Sequence, residues 1–217
     1  MQPIGIFGGT FDPIHFGHLR TAQEIMRTLV LEEVRFVPAA FPPHRRTPVA
    51  NAEERLRMVD LAVSEFPGFR ADDRELRRAG PSYTVPTLES FRAELGQRPI
   101  CLIVGVDAFH GIESWHRASD LPQLAHLVVV RRPGWDFAPD EKALPQWLRG
   151  RRCTDPIQLA GVPSGKLVFQ SVSPHDISGS RIRAMLACGE SVHGMVPAVV
   201  EAFIASRGLY RNPTQRM

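Results

Sequence analysis

The sequence has few cysteines and no long apolar run. Its three cysteines, Cys101, Cys153 and Cys188, are scattered and show no CxxC spacing, which argues against a disulfide framework or a zinc site. Such sparse use of cysteine is typical of a reducing compartment. No stretch approaches the ~20 apolar residues that span a bilayer, and no basic segment precedes the first apolar run as in a secretory signal. We therefore expect a cytoplasmic protein without a membrane partner.

Lysine is scarce as well, since only Lys142 and Lys166 accompany the arginines among the 26 basic residues. Arginine suits bidentate contacts to phosphate, but a net charge of +3 is weak evidence for nucleic acid. We therefore expect no nucleic-acid partner.

The 217 residues, 43% of them apolar and 23% charged, have the composition and length of a globular chain with a buried core. They predict a single domain over residues 1–217.

Short apolar runs alternate with segments of helical periodicity along the chain. The spacing predicts strands over residues 3–7, 34–38, 69–71, 100–104, 127–130 and 167–170. It predicts helices over residues 16–30, 53–66, 85–95, 180–187 and 197–207. Strands separated by helices indicate an α/β fold, with a Rossmann-like, doubly wound and mostly parallel sheet of about six strands and helices on both faces.

Residues 133–165 are rich in Pro, Gly and Arg and have little periodicity, which predicts an irregular, mobile surface excursion with one short helix around residues 144–148. A C-terminal helical part is expected over residues 178–210. There, Pro197 should occupy the first position of the last helix and Gly208 should end it. Because ligands of open parallel sheets lie beyond the carboxyl ends of the strands, the residues after each strand are the candidate functional ones.

The segment GGTFDPIHFGH follows the first strand and begins a helix. Gly8 and Gly9 would let backbone N–H groups approach a phosphate, and the helix start adds partial positive charge. His15 and His18, three residues apart, are expected to share one helix face and could donate hydrogen bonds to phosphate oxygens. Singly, each feature could be a turn or a structural histidine. Together they are a candidate phosphate site, although they form neither a GxGxxG nor a GxxxxGK[ST] motif.

The segment HDISGSRIR, after the sixth predicted strand, is a second candidate. Ser178 or Ser180 could cap the following helix, which would place Arg181 and Arg183 in its first turn. The helix dipole disfavours cations there by a few tenths to about 1 kcal/mol, a conflict that a bound anion would remove. The alternative is a pair of solvated arginines on an exposed helix. We expect this helix start and the one after GGTFDPIHFGH to converge on one triphosphate.

The first segment resembles the signature of the HxGH nucleotidyltransferase superfamily, and its full form is similar to that of bacterial nicotinate-nucleotide adenylyltransferases. The resemblance runs from about Ile4 to Tyr210 and is weakest over residues 135–165. It includes HDISGSRIR for the family's ISSTxIR, PPHRR for PPHK, SYT, GVD followed by a Trp, and RPG. Gly179 departs from the family's second Ser, and Arg45 takes the place of its Lys.

The resemblance implies transfer of AMP from ATP to nicotinate mononucleotide, which yields deamido-NAD and pyrophosphate in NAD biosynthesis. The catalytic residues it implies are His15, His18 and Arg183. The ATP contacts it implies come from Gly8, Gly9, Thr10, Phe11, His15, His18, Arg45, Gly105, Asp107, Ile177, Ser178, Ser180 and Arg183. The contacts to nicotinate mononucleotide that it implies come from Gly8, Thr10, Ser82, Tyr83, Thr84, Asp107, Trp115 and Arg132. From the residues alone, Thr84 could instead cap a helix and Trp115 could be a packing residue.

Mg²⁺ is expected to accompany the triphosphate, held by phosphates and water without a protein ligand. A related adenylyl- or cytidylyltransferase with another acceptor, such as phosphopantetheine, is the nearest alternative, and SYT and Trp115 argue against it. A non-catalytic nucleotide- or RNA-binding module on the same fold is a second alternative, which both histidines and Arg183 argue against. A structural α/β protein whose motifs are turns and caps is a third. The sequence leaves open whether the chain forms a homo-oligomer.

Overall fold

The computed structural model of the chain describes residues 1–42, 47–131 and 140–211. The strands are β1 (Ile4–Gly9), β2 (Glu33–Pro38), β3 (Phe69–Ala71), β4 (Ile100–Gly105), β5 (His126–Arg131) and β6 (Leu167–Ser171). The α-helices of the described residues are α1 (Phe16–Thr28), α2 (Ala52–Val63), α3 (Thr84–Leu95), α4 (Val106–His110), α5 (Leu121–Leu124), α6 (Ile157–Ala160), α7 (Gly179–Ala187) and α8 (Ala198–Arg207). None of these helices is long and apolar enough to cross a membrane.

The six strands form one all-parallel sheet in the order β3-β2-β1-β4-β5-β6. The order reverses between β1 and β4, as in a doubly wound Rossmann-like sheet. The pairing of β1 with β4 aligns Ile4 with Ile100 and Phe7 with Ile103. The predicted α/β Rossmann-like fold is confirmed, with a sheet that is wholly rather than mostly parallel.

Strands β4 and β5 form the apolar centre of the sheet. Residues 100–104 of β4 and 126–130 of β5 are all buried, without alternation between an inner and an outer face. Continuous burial of this kind is expected of parallel strands covered on both faces. The unbroken apolar runs that predicted these two strands therefore have a direct physical cause.

The described residues form two compact units, each assembled from three separate segments. The first unit lies within Met1–Gly8, Ala22–Arg35 and Tyr83–Pro174. The second lies within Gly9–Thr21, Phe36–Ser82 and His175–Met217. Because the segments alternate along the sequence, no single cut of the chain would separate the two units.

Helix α2 differs from its predicted bounds at its C-terminal end. A capping box between Asn51 and Glu54 fixes its start: Asn51 accepts from the Glu54 N–H, and Glu54 accepts from the Asn51 N–H. The helix ends at Val63, three residues before the predicted end at residue 66. Phe66 has left the helix, and its ring stacks on that of Phe69, with the centroids 5.4 Å apart. Phe66 precedes Pro67, and a residue before proline is sterically disfavoured in the helical region, so the helical pattern does not continue here.

The short helix predicted around residues 144–148 is present only in part, as a 3₁₀ turn over Gln146–Leu148. A second 3₁₀ turn, Glu141–Ala143, precedes it. Leu144, between them, is extended with ψ of 146°. It precedes Pro145, and a residue before proline is sterically disfavoured in the helical region. Residues 133–139 of the predicted excursion lie outside the described residues.

Three short helices, α4, α5 and α6, were not predicted. Each has only four or five residues, which is too few for a helical repeat to be visible in the sequence.

At the last helix, Pro197 is the N-cap rather than the first helical residue. Gly208 ends that helix as predicted, with a left-handed φ of 60°.

Candidate active site

The loop after β1 places two imidazole rings in contact within the second unit. His15 lies just before α1, not on it, and His18 lies in the first turn of the helix. Their rings stack with centroids 3.8 Å apart and an interplanar angle of 24°. This stacking replaces the shared helix face that the sequence predicts. The His15 N–H donates to Nδ1 of His18 over 3.3 Å, so a neutral His18 carries its own proton on Nε2.

Phe11 packs against the stacked pair of histidines, His15 and His18, through its contact with His18. Its side chain is buried, and its ring meets that of His18 edge-on with centroids 5.1 Å apart. The backbone at Phe11 is left-handed, with φ of 49°. A Cβ on Gly9 would lie 2.9 Å from the Phe11 ring, so glycine is required where the loop crosses this ring. Because the Phe11 side chain is covered, any nucleotide contact from this residue would come from its backbone.

Gly17 brings the start of α1 close to the segment that enters α7. A Cβ on Gly17 would lie 2.9 Å from the ring of His15 and 3.3 Å from the carbonyl oxygen of Ile177. The Phe16 N–H also donates to the carbonyl of Met195 over 2.9 Å. Both contacts lie within the second unit. The structure therefore brings together the beginnings of two helices that come from opposite ends of the chain.

The start of α7 is capped by Ser178, whose Oγ accepts from the Arg181 N–H over 3.3 Å. Of the two serines proposed as caps, Ser178 is thus the one that acts. The Arg181 side chain turns away to Asp176, with 2.9 Å between Nη1 and Oδ2. The positive charge of Arg181 is therefore already paired with a carboxylate.

Arg183 has a different environment. It is the fifth residue of α7, beyond the first turn in which the sequence analysis placed it. Its Nη1 donates to the Asp12 carbonyl over 2.6 Å, and its Nη2 donates to Ser180 Oγ over 3.2 Å. A Cβ on Gly179 would lie 3.2 Å from the same Asp12 carbonyl and 3.3 Å from Arg183 Nη1. Gly179, the departure from the family motif, thus leaves room for the contact between Arg183 and the first loop.

Asp12 is a further buried member of this cluster, with 8% of its surface exposed. Its Oδ2 accepts from the Val49 N–H over 2.9 Å, and its Oδ1 accepts from the Ala50 N–H over 3.1 Å. Oδ1 also accepts from the Tyr210 hydroxyl over 2.7 Å. Burial, and next the negative charge of Asp12, raise the pKa of Tyr210, so that its hydroxyl remains a donor. One carboxylate thus joins the first loop, the entry to α2 and the C-terminal segment.

Arg55, on α2, is 1% exposed, and within the described residues its guanidinium donates to three backbone carbonyls. Its guanidinium donates to Thr10 over 2.8 Å, to Ala40 over 3.2 Å and to Ala50 over 3.2 Å. Burial lowers the pKa of Arg55, and the nearby Asp12 opposes that change. These three bonds fix the loops that follow β1 and β2 relative to the start of α2.

In the first unit, the start of α3 carries Tyr83 and Thr84 of the predicted SYT segment. Tyr83 is the N-cap, and Thr84 is the first helical residue, so the alternative that Thr84 caps the helix is wrong. The ring of Tyr83 stacks on that of His116, with centroids 4.5 Å apart. His116 follows Trp115, which is half-buried. Sequence reasoning did not single out His116.

The predicted Gly105 and Asp107 lie at the start of α4, with Gly105 as its N-cap and Asp107 in its first turn. Ser82 belongs to the second unit, where its N–H donates to the Phe41 carbonyl over 3.0 Å and its Oγ accepts from the Phe41 N–H over 3.1 Å. Gly8 is the next-to-last residue of β1. Arg45 and Arg132 lie outside the described residues.

Among residues 1–42, 47–131 and 140–211, no group of three or more His, Cys, Asp or Glu side chains could hold a metal ion. The carboxylate of Asp12, the acidic group in the first loop, already accepts three hydrogen bonds. The chemistry that this site offers is therefore hydrogen-bond donation from imidazole, guanidinium, hydroxyl and helix-start N–H groups, which suits an anion.

The sequence model of the cytidylyltransferase-like family matches residues 6–185. A Methylococcus capsulatus protein named "Probable nicotinate-nucleotide adenylyltransferase" is 47% identical over 208 residues, which cover 95% of this chain and 99% of that protein. A Pseudomonas fluorescens protein of the same name is 46% identical over 211 residues, covering 97% and 98%. The chain belongs to the nicotinate-nucleotide adenylyltransferase family, within the cytidylyltransferase-like group.

The predicted family and the prediction of a nucleotidyltransferase are thereby confirmed. Among solved structures, the Plasmodium falciparum nicotinic acid mononucleotide adenylyltransferase complexed with NaAD has a TM-score of 0.72 at 17% identity. The match covers 97% of this chain and 98% of that one. At so low an identity, this likeness supports the fold of the nicotinate-nucleotide adenylyltransferase family.

The sequence motifs did not point to three residues that organise the site of this nicotinate-nucleotide adenylyltransferase family member: Asp12, Arg55 and Tyr210. A signal was present for Asp12, because a carboxylate inside an otherwise apolar and glycine-rich loop needs partners. Arg55 has no such signal, since an arginine on an amphipathic helix is ordinarily exposed.

Proposed function

We propose that the chain transfers AMP from ATP to nicotinate mononucleotide, forming deamido-NAD and releasing pyrophosphate. One observation carries this proposal: the beginnings of α1 and α7 converge in the second unit, with Arg183 bonded to the first loop over 2.6 Å. Helix beginnings present unpaired N–H groups and partial positive charge, which favour phosphate. The names of the full-length relatives supply the acceptor.

In the proposed reaction, an oxygen of the 5′-phosphate of nicotinate mononucleotide attacks the α-phosphorus of ATP. A new phosphorus–oxygen bond forms as the bond from the α-phosphorus to the oxygen that bridges to the β-phosphorus breaks. Pyrophosphate leaves with that electron pair. The attacking oxygen is already ionised, so no protein nucleophile or general base is required. The chain contributes positioning and stabilisation of charge in the transition state.

His18 is the proposed donor to the reacting phosphate. Because its Nδ1 accepts from the His15 N–H, its Nε2–H is the group that donates to a phosphate oxygen. Stacking on His15 and the edge-on contact with Phe11 hold its ring in place. We assign His15 and His18 to the α-phosphate and its neighbours, where negative charge develops during transfer.

Arg183 is the proposed ligand of the β- and γ-phosphates. Ser178, Ser180 and the backbone at Ile177 line the same helix start, and Arg45 is proposed to add a second guanidinium. We assign Gly8, Gly9, Thr10 and Phe11 to close backbone approach to the nucleotide. Gly105 and Asp107, at the start of α4, are proposed to contact ribose.

The start of α3 is the proposed acceptor site. Backbone N–H groups at the start of α3 suit the carboxylate of nicotinate, and Trp115 offers an aromatic face to the pyridine ring. Ser82 and Arg132 are proposed further contacts to nicotinate mononucleotide, together with Gly8, Thr10 and Asp107.

Mg²⁺ is proposed to enter with ATP. The described residues hold no cluster of metal ligands, and the donors around Asp12 oppose a cation on that carboxylate. Phosphate oxygens and water would therefore hold the ion, which neutralises phosphate charge when bound. Three free cysteines and the use of ATP support a cytoplasmic location.

The proposal is tested by an acceptor screen. Pyrophosphate release is measured with ATP and, in turn, nicotinate mononucleotide, nicotinamide mononucleotide and phosphopantetheine. We expect turnover with nicotinate mononucleotide. Release with phosphopantetheine alone, or with none of the three, would contradict the proposal.

The role of His18 has its own test. We expect His18→Ala to lower kcat by about 100-fold or more, the scale of losing one transition-state donor. His193→Ala is the control, because His193 is exposed and pairs only loosely with Glu201, at 3.6 Å. Full turnover by His18→Ala would remove His18 from the mechanism.

A further inference from the structure

Tyr210 lies just after the last helix and makes a contact 198 residues away in the sequence. Its side chain is 6% exposed, and its hydroxyl donates to Oδ1 of Asp12 over 2.7 Å. The backbone at Tyr210 is left-handed, with φ of 65°, a conformation that costs a non-glycine residue energy. A packing role would explain why the ring of Tyr210 is buried. It would not explain why the hydroxyl donates to a carboxylate.

The carboxylate that Tyr210 reaches connects two parts of the proposed phosphate site. Asp12 accepts from the N–H groups of Val49 and Ala50, which lead from the PPHRR segment into α2. Its Oδ2 also lies 3.9 Å from Nη1 of Arg183, and its carbonyl accepts from that same nitrogen. A change in the position of Asp12 would therefore move Arg183 and the entry to α2 together.

The Tyr210 hydroxyl limits where this carboxylate can sit. Each oxygen of Asp12 has a backbone N–H partner, but within the described residues only Oδ1 also accepts from a hydroxyl group. Without that donor, a buried carboxylate loses part of its compensation for desolvation and would turn toward a nearby guanidinium. Arg55 also lies near Asp12, but its guanidinium already donates to three backbone carbonyls, so Arg183 is the group that the carboxylate would reach. Such a turn would occupy the guanidinium that is proposed to bind phosphate.

We propose that Tyr210 is a positioning residue of the active site, which acts through Asp12 to keep Arg183 directed at the phosphates of ATP. This inference rests on the proposed function, because Arg183 is a phosphate ligand only under that proposal. It adds to the site a residue beyond the part of the chain that the family model matches, residues 6–185.

The first variant is Tyr210→Phe, which removes one hydroxyl and keeps the ring. We expect kcat to fall about tenfold and the KM for ATP to rise several-fold, because small errors in position are costly in catalysis. The KM for nicotinate mononucleotide should not change. Val200→Ala is the control: it removes only buried apolar atoms from α8, so it lowers stability but should keep both kinetic constants.

A double-mutant cycle tests the route through Asp12. We expect Asp12→Asn to lose more activity than Tyr210→Phe, and the double variant to be no worse than Asp12→Asn alone. Losses that multiply would show that Tyr210 acts independently of Asp12 and would overturn the inference. If Tyr210→Phe does not fold, Asp12→Asn alone decides: wild-type kcat and KM for ATP in that variant would overturn the inference.

Calorimetric titration with inorganic tripolyphosphate gives a readout that does not depend on activity. We expect several-fold weaker binding by Tyr210→Phe than by the wild type or by Val200→Ala. Equal affinity of Tyr210→Phe and the wild type, or an equal loss in Val200→Ala, would overturn the inference. If the wild-type chain shows no turnover with a pyridine mononucleotide, the proposed function fails, and this titration still decides the role of Tyr210.

Discussion

Gly17 and His15 make a contact that leaves no room for a side chain at position 17. A Cβ there would lie 2.9 Å from both Cε1 and Nδ1 of the His15 ring. His15 is 6% exposed and stacks on His18, so its ring has little space into which it could move. The glycine of the HxGH element thus has a steric function: it lets the His15 ring lie over the first turn of α1.

Gly17→Ala should therefore impair catalysis as well as stability. Displacement of the two stacked rings is expected to lower kcat by about 10- to 100-fold. Overpacking is expected to lower the free energy of unfolding by about 1–3 kcal/mol. Steady-state pyrophosphate release and urea unfolding check the two effects. Gly161→Ala is the control, because a Cβ on Gly161 meets its nearest atom at 3.7 Å, an ordinary contact. Normal turnover by Gly17→Ala would contradict this account.

Val30 occupies a helix-end position that favours glycine. After α1, the Leu31 N–H donates to Met26 and the Val30 N–H donates to Arg27, as in a Schellman motif. Val30 holds the left-handed position with φ of 50°, and it is 59% exposed. After α8, the same position is taken by Gly208, with φ of 60°. A β-branched residue pays an energetic penalty in this conformation.

Val30→Gly should accordingly stabilise the protein. Relief of a left-handed conformation worth about 1–2 kcal/mol, less the greater entropy of glycine in the unfolded chain, leaves a net gain of about 0.5–1 kcal/mol. The free energy of unfolding in urea measures it. The reverse change at the matched position, Gly208→Val, should destabilise. A Val30→Gly variant less stable than the wild type would show that the exposed side chain makes a contribution that this account omits.

His126 is a buried histidine whose hydrogen bonds require the neutral ring. Its Nδ1 accepts from the Lys166 N–H over 3.1 Å, while its Nε2 lies 3.1 Å from the Leu159 carbonyl and 3.0 Å from that of Val162. The neutral tautomer with the proton on Nε2 satisfies all three contacts. Burial, with smaller effects from the charges of Arg92 and Lys166, lowers the pKa of His126.

The stability of the protein should therefore fall as the pH drops below about 6.5, the usual pKa of histidine in an unfolded chain. Above that pH, His126 is neutral in both states. Below it, the unfolded chain binds a proton that the folded chain excludes, so stability falls by up to about 1.4 kcal/mol per pH unit until the lowered folded pKa is reached. Urea unfolding at pH 7.5 and 5.5 measures the loss. His126→Gln should lose less stability between these two pH values than the wild type, whereas His110→Gln should lose as much as the wild type. An equal loss in the wild type and both variants would contradict the assignment of the pH dependence to His126.

The regular parts of the fold could be predicted from the sequence because their burial is continuous. Strand β3 has the predicted bounds, and β4 extends the predicted one by a single residue. Failures occurred where a proline overrides a pattern: Pro67 follows the early end of α2, and Pro145 limits the helix predicted over residues 144–148 to a 3₁₀ turn. Helices as short as α6 leave no periodic pattern to detect.

The residues of the candidate site likewise include some that the sequence could predict and some that it could not. His15, His18 and Ser178 belong to contiguous motifs, so a resemblance could point to them. The contact of Arg55 with Thr10 and that of Tyr210 with Asp12 could not be predicted, because the partners lie 45 and 198 residues apart in the sequence. Hydrogen bonds over such separations depend on the folded chain and leave no local spacing pattern.

The most direct test of the central claim is a crystal structure of the chain with Mg²⁺ and a non-hydrolysable ATP analogue. We expect phosphate oxygens of one triphosphate to lie within hydrogen-bond distance of both Nε2 of His18 and the guanidinium of Arg183. A triphosphate that contacts only one of these two side chains, or that binds elsewhere on the chain, would contradict it.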